Sequence, residues 1–152
     1  MTGTRFTVDD AIALAAEAHQ GQVDKAGRPY IEHPLRVMGR VSGEYARMAA
    51  VLHDVLEDTD LTVAELRAAG CPERVIAAVQ ALTKHSGEPL AASMARAAGN
   101  PIAMVVKRAD IADNSDPARL GMLDEPTAAR LRRKYGDSLR LLDEYQPERP
   151  TS

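Results

Sequence analysis

Apolar positions in this chain fall into short helical stretches, separated by glycine, proline and polar runs. Thr7 reads as an N-cap, with Asp9 and Asp10 in the first turn where the helix dipole favours anions, and Ile12, Leu14, Ala15, Ala16 and Ala18 carry that helix to about His19. Residues 20–32 form a loop that is polar yet holds Val23, Tyr30 and Ile31, so parts of it are expected to pack down. Pro34 is a good first helical residue, because its missing N–H would be unpaired there anyway; the helix it opens continues through Leu35, Val37, Met38 and Val41. A central helix is predicted over 44–58. Thr62 and Glu65 make a capping box for a short helix that stops at Gly70, and Pro72 starts the next, with Val75, Ile76, Val79 and Leu82 on one face. After the polar break at 83–87 an Ala-rich helix covers 88–98. Asn100-Pro101 then punctuates, and Ile102, Met104, Val105 and Val106 begin a buried helix that ends at Asn114. Pro117 and Pro126 frame a short segment containing Arg119. The last helix runs roughly over 127–145, with Leu131, Leu139, Leu141 and Leu142 inward. Residues 1–6 form a short lead and 147–152 a disordered tail, so a single domain is expected over 1–146.

Composition narrows the fold class. A chain of 152 residues can bury a proper core. Aromatics make up 3% with no Trp and one Phe, which favours close-packed helices over a sheet. The expectation is therefore an all-α bundle of about seven to nine helices. The net charge of −3 argues against a general nucleic-acid binder but leaves room for a small anionic ligand at a local basic patch. Cys71, the lone cysteine, fits a reducing compartment. No apolar run approaches the ~20 residues that span a bilayer, and the N-terminus lacks the features of a signal peptide. A soluble cytoplasmic protein is expected, with no nucleic-acid or membrane partner and its oligomeric state open.

One stretch changes the picture from fold to chemistry. Within residues 51–59, His53 is followed by Asp54, and Glu57 and Asp58 come one turn later, amid Ala49, Ala50, Leu52, Val55 and Leu56. On a continuous helix His53 and Glu57 share a face, as do Asp54 and Asp58. Burying such charge is costly unless it is paired or bound to a metal. No Lys or Arg lies between Arg47 and Arg67 to pair with it. A capping run for the next helix is the plainer alternative. Adjacent imidazole and carboxylate suit a borderline-hard divalent ion, and a metal site is the favoured reading. His33, immediately before Pro34, is open between a cap and a ligand. Asp110 lies in the buried helix near its end and needs a partner: either a metal shared with His53 and Asp54, or a salt bridge to Lys107 or Arg108. His19 is expected to bond a backbone carbonyl, and Arg28 to be ordinary surface charge.

The order His33, His53-Asp54, Asp110 on an all-helical chain resembles the HD-domain metal-dependent phosphohydrolases. Ala18-His-Gln-Gly-Gln22, Gly27-Arg-Pro-Tyr-Ile-Glu-His-Pro34, Leu52-His-Asp-Val-Leu-Glu-Asp-Thr59, Leu82-Thr-Lys84 and Lys107-Arg-Ala-Asp110 resemble the hydrolase domain of RelA/SpoT-type proteins. The likeness extends from about Thr7 to Asn114, with a weaker echo at Arg133-Lys-Tyr135. These residues hold no synthetase domain, so the chain is similar to the single-domain small alarmone hydrolases. The resemblance implies an HD-domain helical bundle around Mn2+ held by His33, His53, Asp54 and Asp110. It implies that Glu57 and Asp58 position and activate the attacking water, and that Tyr30 and Asn114 help hold the nucleotide; Lys25, the nearest remaining cation in the loop, is expected to bind it as well. The implied reaction removes pyrophosphate from the 3′ position of guanosine tetra- or pentaphosphate.

The chain departs from the family's usual pattern at two places. Asp24-Lys25 stands where an Arg-Lys pair is usual and the Arg stacks on guanine, and Ser115-Asp116 stands where the family tends to have a hydrophobic residue and Arg. An aspartate at position 24 cannot stack on a base and is expected to repel the phosphates. Two alternatives therefore stand beside guanosine alarmone hydrolysis: hydrolysis of another nucleotide, such as an adenosine 3′-pyrophosphate or a nucleoside monophosphate, and a catalytically silent nucleotide-binding module.

Overall fold

The structure is a computed structural model that describes residues 5–145. Its elements are α1 (Val8–Ala18), α2 (Glu32–Gly39), α3 (Glu44–Leu52), α4 (Val55–Asp58), α5 (Val63–Ala68), α6 (Glu73–Leu82), α7 (Leu90–Ala98), α8 (Pro101–Asn114), α9 (Pro117–Leu120) and α10 (Glu125–Tyr145). The fold is all-α; α4 and α9 are single turns, and the β pairing among the described residues is an isolated bridge between Val23 and Pro29. The expected tail at 147–152 and the first four residues of the lead lie outside the described residues. Phe6, at the inner end of that lead, is buried in the core.

Helix starts follow the local chemistry. Thr7 accepts the Asp10 N–H at 3.1 Å and Asp10 accepts the Thr7 N–H at 2.9 Å, closing a capping box on α1. Thr62 and Glu65 do the same for α5. Asn100 accepts the Ala103 N–H, with Pro101 opening α8. Gly70 ends α5 at φ +98°, a left-handed turn that a residue with a Cβ resists.

Packing radiates from two helices. α3 lies against α1, α2, α6 and α8, and its run Met48, Ala49, Ala50, Val51 and Leu52 is wholly buried. α8 lies against α2, α3, α6, α7 and α10. The main core joins Ala11, Ala15, Val37, Leu52, Val55, Leu66, Val75, Ile76, Val79 and Val106. A second core, Met94, Ala97, Ala98, Met104, Ile111 and Leu142, ties α10 to α7 and α8. Two expected inward positions turn outward: Val105 is 47% exposed and Leu139 36%. On α8 the interior takes Ala103, Met104 and Val106 instead, and on α10 it takes Leu131, Ser138 and Leu142.

The largest correction concerns the central helix, which does not run unbroken over 44–58. α3 stops at Leu52, and Asp54 adopts φ −104°, ψ −2° before the turn of α4. The His53 ring supplies the reason: its Nδ1–H donates to the Ala50 carbonyl at 2.6 Å. In a continuing helix that carbonyl would accept the backbone N–H of Asp54, so a side chain competes for a backbone acceptor and ends the helix.

Ile76 is 1% exposed in the main core. Ile76→Ala is expected to cost about 2–5 kcal/mol of unfolding free energy, read as a lower urea midpoint at unchanged slope. Thr62→Ala, which removes one arm of the α5 box, is expected to cost about 1 kcal/mol.

Candidate metal centre

Four side chains from three elements meet at the floor of a cleft of about 1130 Å³. His33 comes from the first turn of α2, His53 and Asp54 from the break after α3, and Asp110 from α8. Donor atoms of His33, His53 and Asp54 all lie within 4.8 Å of one another. Asp110 Oδ1 is 2.9 Å from His33 Nε2 and 3.3 Å from His53 Nε2, and Asp54 Oδ2 is 3.0 Å from His53 Nε2. Both imidazoles are 3% exposed.

The tautomers are set from behind. His53 Nδ1 must be the protonated nitrogen, since a carbonyl only accepts. His33 Nδ1 donates to Asp113 Oδ2 at 2.6 Å. In both rings Nε2 is therefore left to face the carboxylates, the arrangement by which histidine ligands are oriented for metals. His53 Nε2 is buried and, despite the two oxygens beside it, makes no hydrogen bond of acceptable angle. Two imidazole nitrogens and the Asp54 carboxylate within mutual reach, with Asp110 against both rings and one nitrogen left orphaned, fit a divalent cation of intermediate hardness.

The charges agree. Burial works against a charged imidazolium at His53, but Asp54 and Asp110 outweigh it and raise its pKa well above the ordinary value. Burial likewise opposes ionisation of Asp110, yet Lys107 and His53 hold its carboxyl well below the usual range. Without an ion the pocket thus draws in positive charge as a proton, and a cation in that place satisfies the same demand.

Around this centre the other expected site residues take distinct positions. Tyr30 donates its hydroxyl to Asp54 Oδ2, and its ring sits 4.9 Å from that of His19 and 5.9 Å from that of His33. Burial first and Asp54 second push its phenol pKa upward, so it stays a donor. Asn114 donates to Asp110 Oδ1 at 3.1 Å. Glu57 accepts the backbone N–H of Lys84 at 2.7 Å, a consequence of the helix break that takes it away from the face of His53. Asp58 has its carboxyl pKa raised by partial burial and by Asp54 and Glu57. Lys25, Tyr30, Glu57, Asp58 and Asn114 all line the cleft.

Several residues that matter here escape a reading of motifs. Asp113 is 1% exposed and binds His33 Nδ1, Arg36 and Arg119 at 2.6–2.9 Å; His33 and Arg36 hold its pKa down to about 2 despite burial. Its signal was its spacing, three residues after Asp110 on a buried helix. Lys107 donates to Asp110 Oδ2 at 3.1 Å while Oδ1 faces the histidines, so the expected salt bridge and a shared centre coexist on one carboxylate. Lys84, Lys107 and Lys134 join Lys25 along the cleft. His19 bonds the side chain of Gln22 at 2.9 Å rather than a backbone carbonyl, and Gln22 in turn donates to the Asp58 carbonyl. Arg28 pairs with Glu32 at the surface. Asp24 does not face the cleft as a free charge. Its side chain is 8% exposed, its Oδ1 accepts the Ala26 and Arg28 N–H groups at 2.9 Å each, and its Oδ2 lies 3.6 Å from Arg119. Its charge faces its own loop and a guanidinium.

Comparison with known proteins agrees with this geometry. Residues 11–110 match the sequence model of the HD domain. A guanosine-3′,5′-bis(diphosphate) 3′-pyrophosphohydrolase of Haemophilus influenzae is 43% identical over 58 residues, which is 36% of this chain and 9% of that protein. One of the same name from Aquifex aeolicus is 40% identical over 81 residues, 51% of this chain and 12% of that protein. The chain thus spans only about a tenth of the length of the curated relatives it matches. A solved structure described as a metazoan ortholog of SpoT that hydrolyzes ppGpp superposes with a TM-score of 0.72 at 25% identity, covering 95% of this chain and 96% of the other. No helix of the described residues is long and apolar enough to cross a membrane. With more than half of its length matched, and with its paired His53-Asp54 facing His33 and Asp110, the chain belongs to the HD-domain family.

Proposed function

We propose that the protein is a Mn2+-dependent phosphohydrolase that removes pyrophosphate from the 3′ position of guanosine tetra- or pentaphosphate, or of a related nucleotide. The observation that carries this reading is a buried two-histidine, two-carboxylate centre at the floor of a cleft lined by Lys25, Lys84, Lys107 and Lys134. The likeness to proteins named for that hydrolysis supports it. His33, His53, Asp54 and Asp110 hold the metal in this reading, and mixed imidazole and carboxylate donors suit Mn2+. When bound, such a cation supplies Lewis acidity, acidifying water and offsetting charge on phosphoryl oxygens.

The protein's own groups do the rest. Asp58 carries a carboxyl whose raised pKa suits a general base, and it takes the proton of the attacking water. Glu57, anchored by the Lys84 amide, flanks it. Tyr30 and Asn114 hold Asp54 and Asp110 in register through their hydrogen bonds. They do so at the cleft wall, where the nucleotide is bound. Burial, and then the nearby Lys107, Lys84 and Lys25, lower the pKa of Lys134. An ammonium held among other cations in this way is relieved by a ligand with several negative charges, as a pyrophosphorylated nucleotide has. Lys25 sits in the loop 20–31 and meets those phosphates from one side.

The reading is tested by assaying Mn2+-loaded protein against guanosine and adenosine 3′-pyrophosphates and nucleoside monophosphates, with product identification. Release of pyrophosphate from a 3′-pyrophosphate is the expected result. Turnover of a monophosphate alone moves the protein to another HD-domain branch, and nucleotide binding without any turnover makes it a silent module. Asp54→Ala is expected to abolish both bound metal, measured by elemental analysis, and turnover. Asp58→Asn and Glu57→Gln are expected to keep the metal and lose at least roughly 10²-fold in kcat. Near-wild-type rates in both would remove this pair from the mechanism.

A further inference from the structure

Arg119 stands on the single turn α9, where Asp116 caps the start by accepting the Ala118 N–H at 2.8 Å and Pro117 fixes the first residue. Its guanidinium lines the cleft and is held at its edges. Nη1 donates to Asp113 Oδ2 at 2.8 Å, and to the Asp113 carbonyl and Asn114 Oδ1 at 3.3 Å each. Nη2 faces Asp24 Oδ2 at 3.6 Å. Asp113 is the carboxylate that bonds His33, so Arg119 is one side chain removed from the metal centre. Asp24 is the carboxylate that folds the 24–28 turn, where Gly27 takes φ +81°. Arg119 thus joins the loop to α8, and it remains 27% exposed.

A planar guanidinium bound at its edges still offers its face. We propose that Arg119 is the binding residue for the base: the nucleobase stacks on its guanidinium, and Asp24, Asp113 and Asn114 are positioning residues that hold that plane. The proposal deepens the nucleotide-hydrolase reading and rests on it. Two consequences follow from the same contacts. Stacking accepts any base, because every base has a π-face. Reading guanine instead needs free paired donors on O6 and N7, and here Nη1 is already bonded to Asp113 and Asn114 while Nη2 is turned toward Asp24. The site therefore takes 3′-pyrophosphorylated nucleotides without distinguishing guanine from adenine.

The test compares wild type with Arg119→Lys, which keeps the charge facing Asp24 and Asp113 but loses the plane. KM for the guanosine and adenosine 3′-pyrophosphates is expected to rise about tenfold for both, the scale of one lost stacking contact. Meanwhile kcat stays within about threefold, inhibition by inorganic pyrophosphate is unchanged, and wild-type KM values for the two substrates agree within about threefold. Unchanged KM overturns the proposal. So does a fall in kcat at constant KM, which would mean Arg119 serves only Asp113 and His33. A parallel loss of pyrophosphate inhibition, or a wild-type preference for guanosine beyond about tenfold, overturns it too. If wild type cleaves neither substrate, the hydrolase reading fails by itself, and calorimetric binding of GDP and ADP decides the platform. Both weakening about tenfold in Arg119→Lys supports it. Equal affinities, or no binding to wild type, overturn it.

Discussion

A carboxylate buried on the inner face of α8 is the constraint around which the rest is arranged. Asp110 is 7% exposed and cannot remain there ionised without partners. It has four: His33 and His53 from across the core, Asn114 from the next turn, and Lys107 from the turn before. Two of these are local, supplied by helical spacing on α8 itself. The other two require α2 and the end of α3 to be docked on α8, so the packing of three helices and the electrostatic balance of one oxygen pair are a single condition.

The end of α3 meets that condition by giving up helix. A continuous helix would hold His53 and Glu57 on one face and leave Asp54 to turn away with Asp58. The imidazole N–H bonded to the Ala50 carbonyl instead swings Asp54 back onto His53 Nε2 and releases Glu57 toward Lys84. The local cost of a lost backbone bond is offset by a cluster that no regular element presents from consecutive residues. Behind it stands a second tier: Asp113 behind His33, Tyr30 on Asp54, and Gln22 tying His19 to the carbonyl of Asp58.

Much of this was legible in the amino-acid order. Caps at Thr7 and Thr62, the punctuation at Asn100-Pro101 and apolar spacing marked most helices, because each is a signal carried within a few residues, although Pro34 is the third residue of α2 and not its first. His33, His53, Asp54 and Asp110 stood out as charge in apolar surroundings, and they do converge. What was not legible depended on long-range partners. Asp24 reads as a charge that repels phosphate until its bonds to the 24–28 turn and to Arg119, 95 positions later, are seen. Asp113 looks like a second copy of Asp110 until its contact with His33 distinguishes a supporting carboxylate from one at the centre. The break at His53 turns on a side-chain rotamer, to which hydrophobic periodicity is blind.

The Gln22 bonds have a consequence for ionic strength. The loop of residues 20–31 is registered on α4 by a neutral amide, whose bond carries no net charge for dissolved salt to screen. The lysines that line the cleft act over distance and are screened as the Debye length shrinks. Salt therefore reaches these two contributions unequally: the rate at which a polyanion arrives falls, while the amide bonds that set the loop on α4 stay in place.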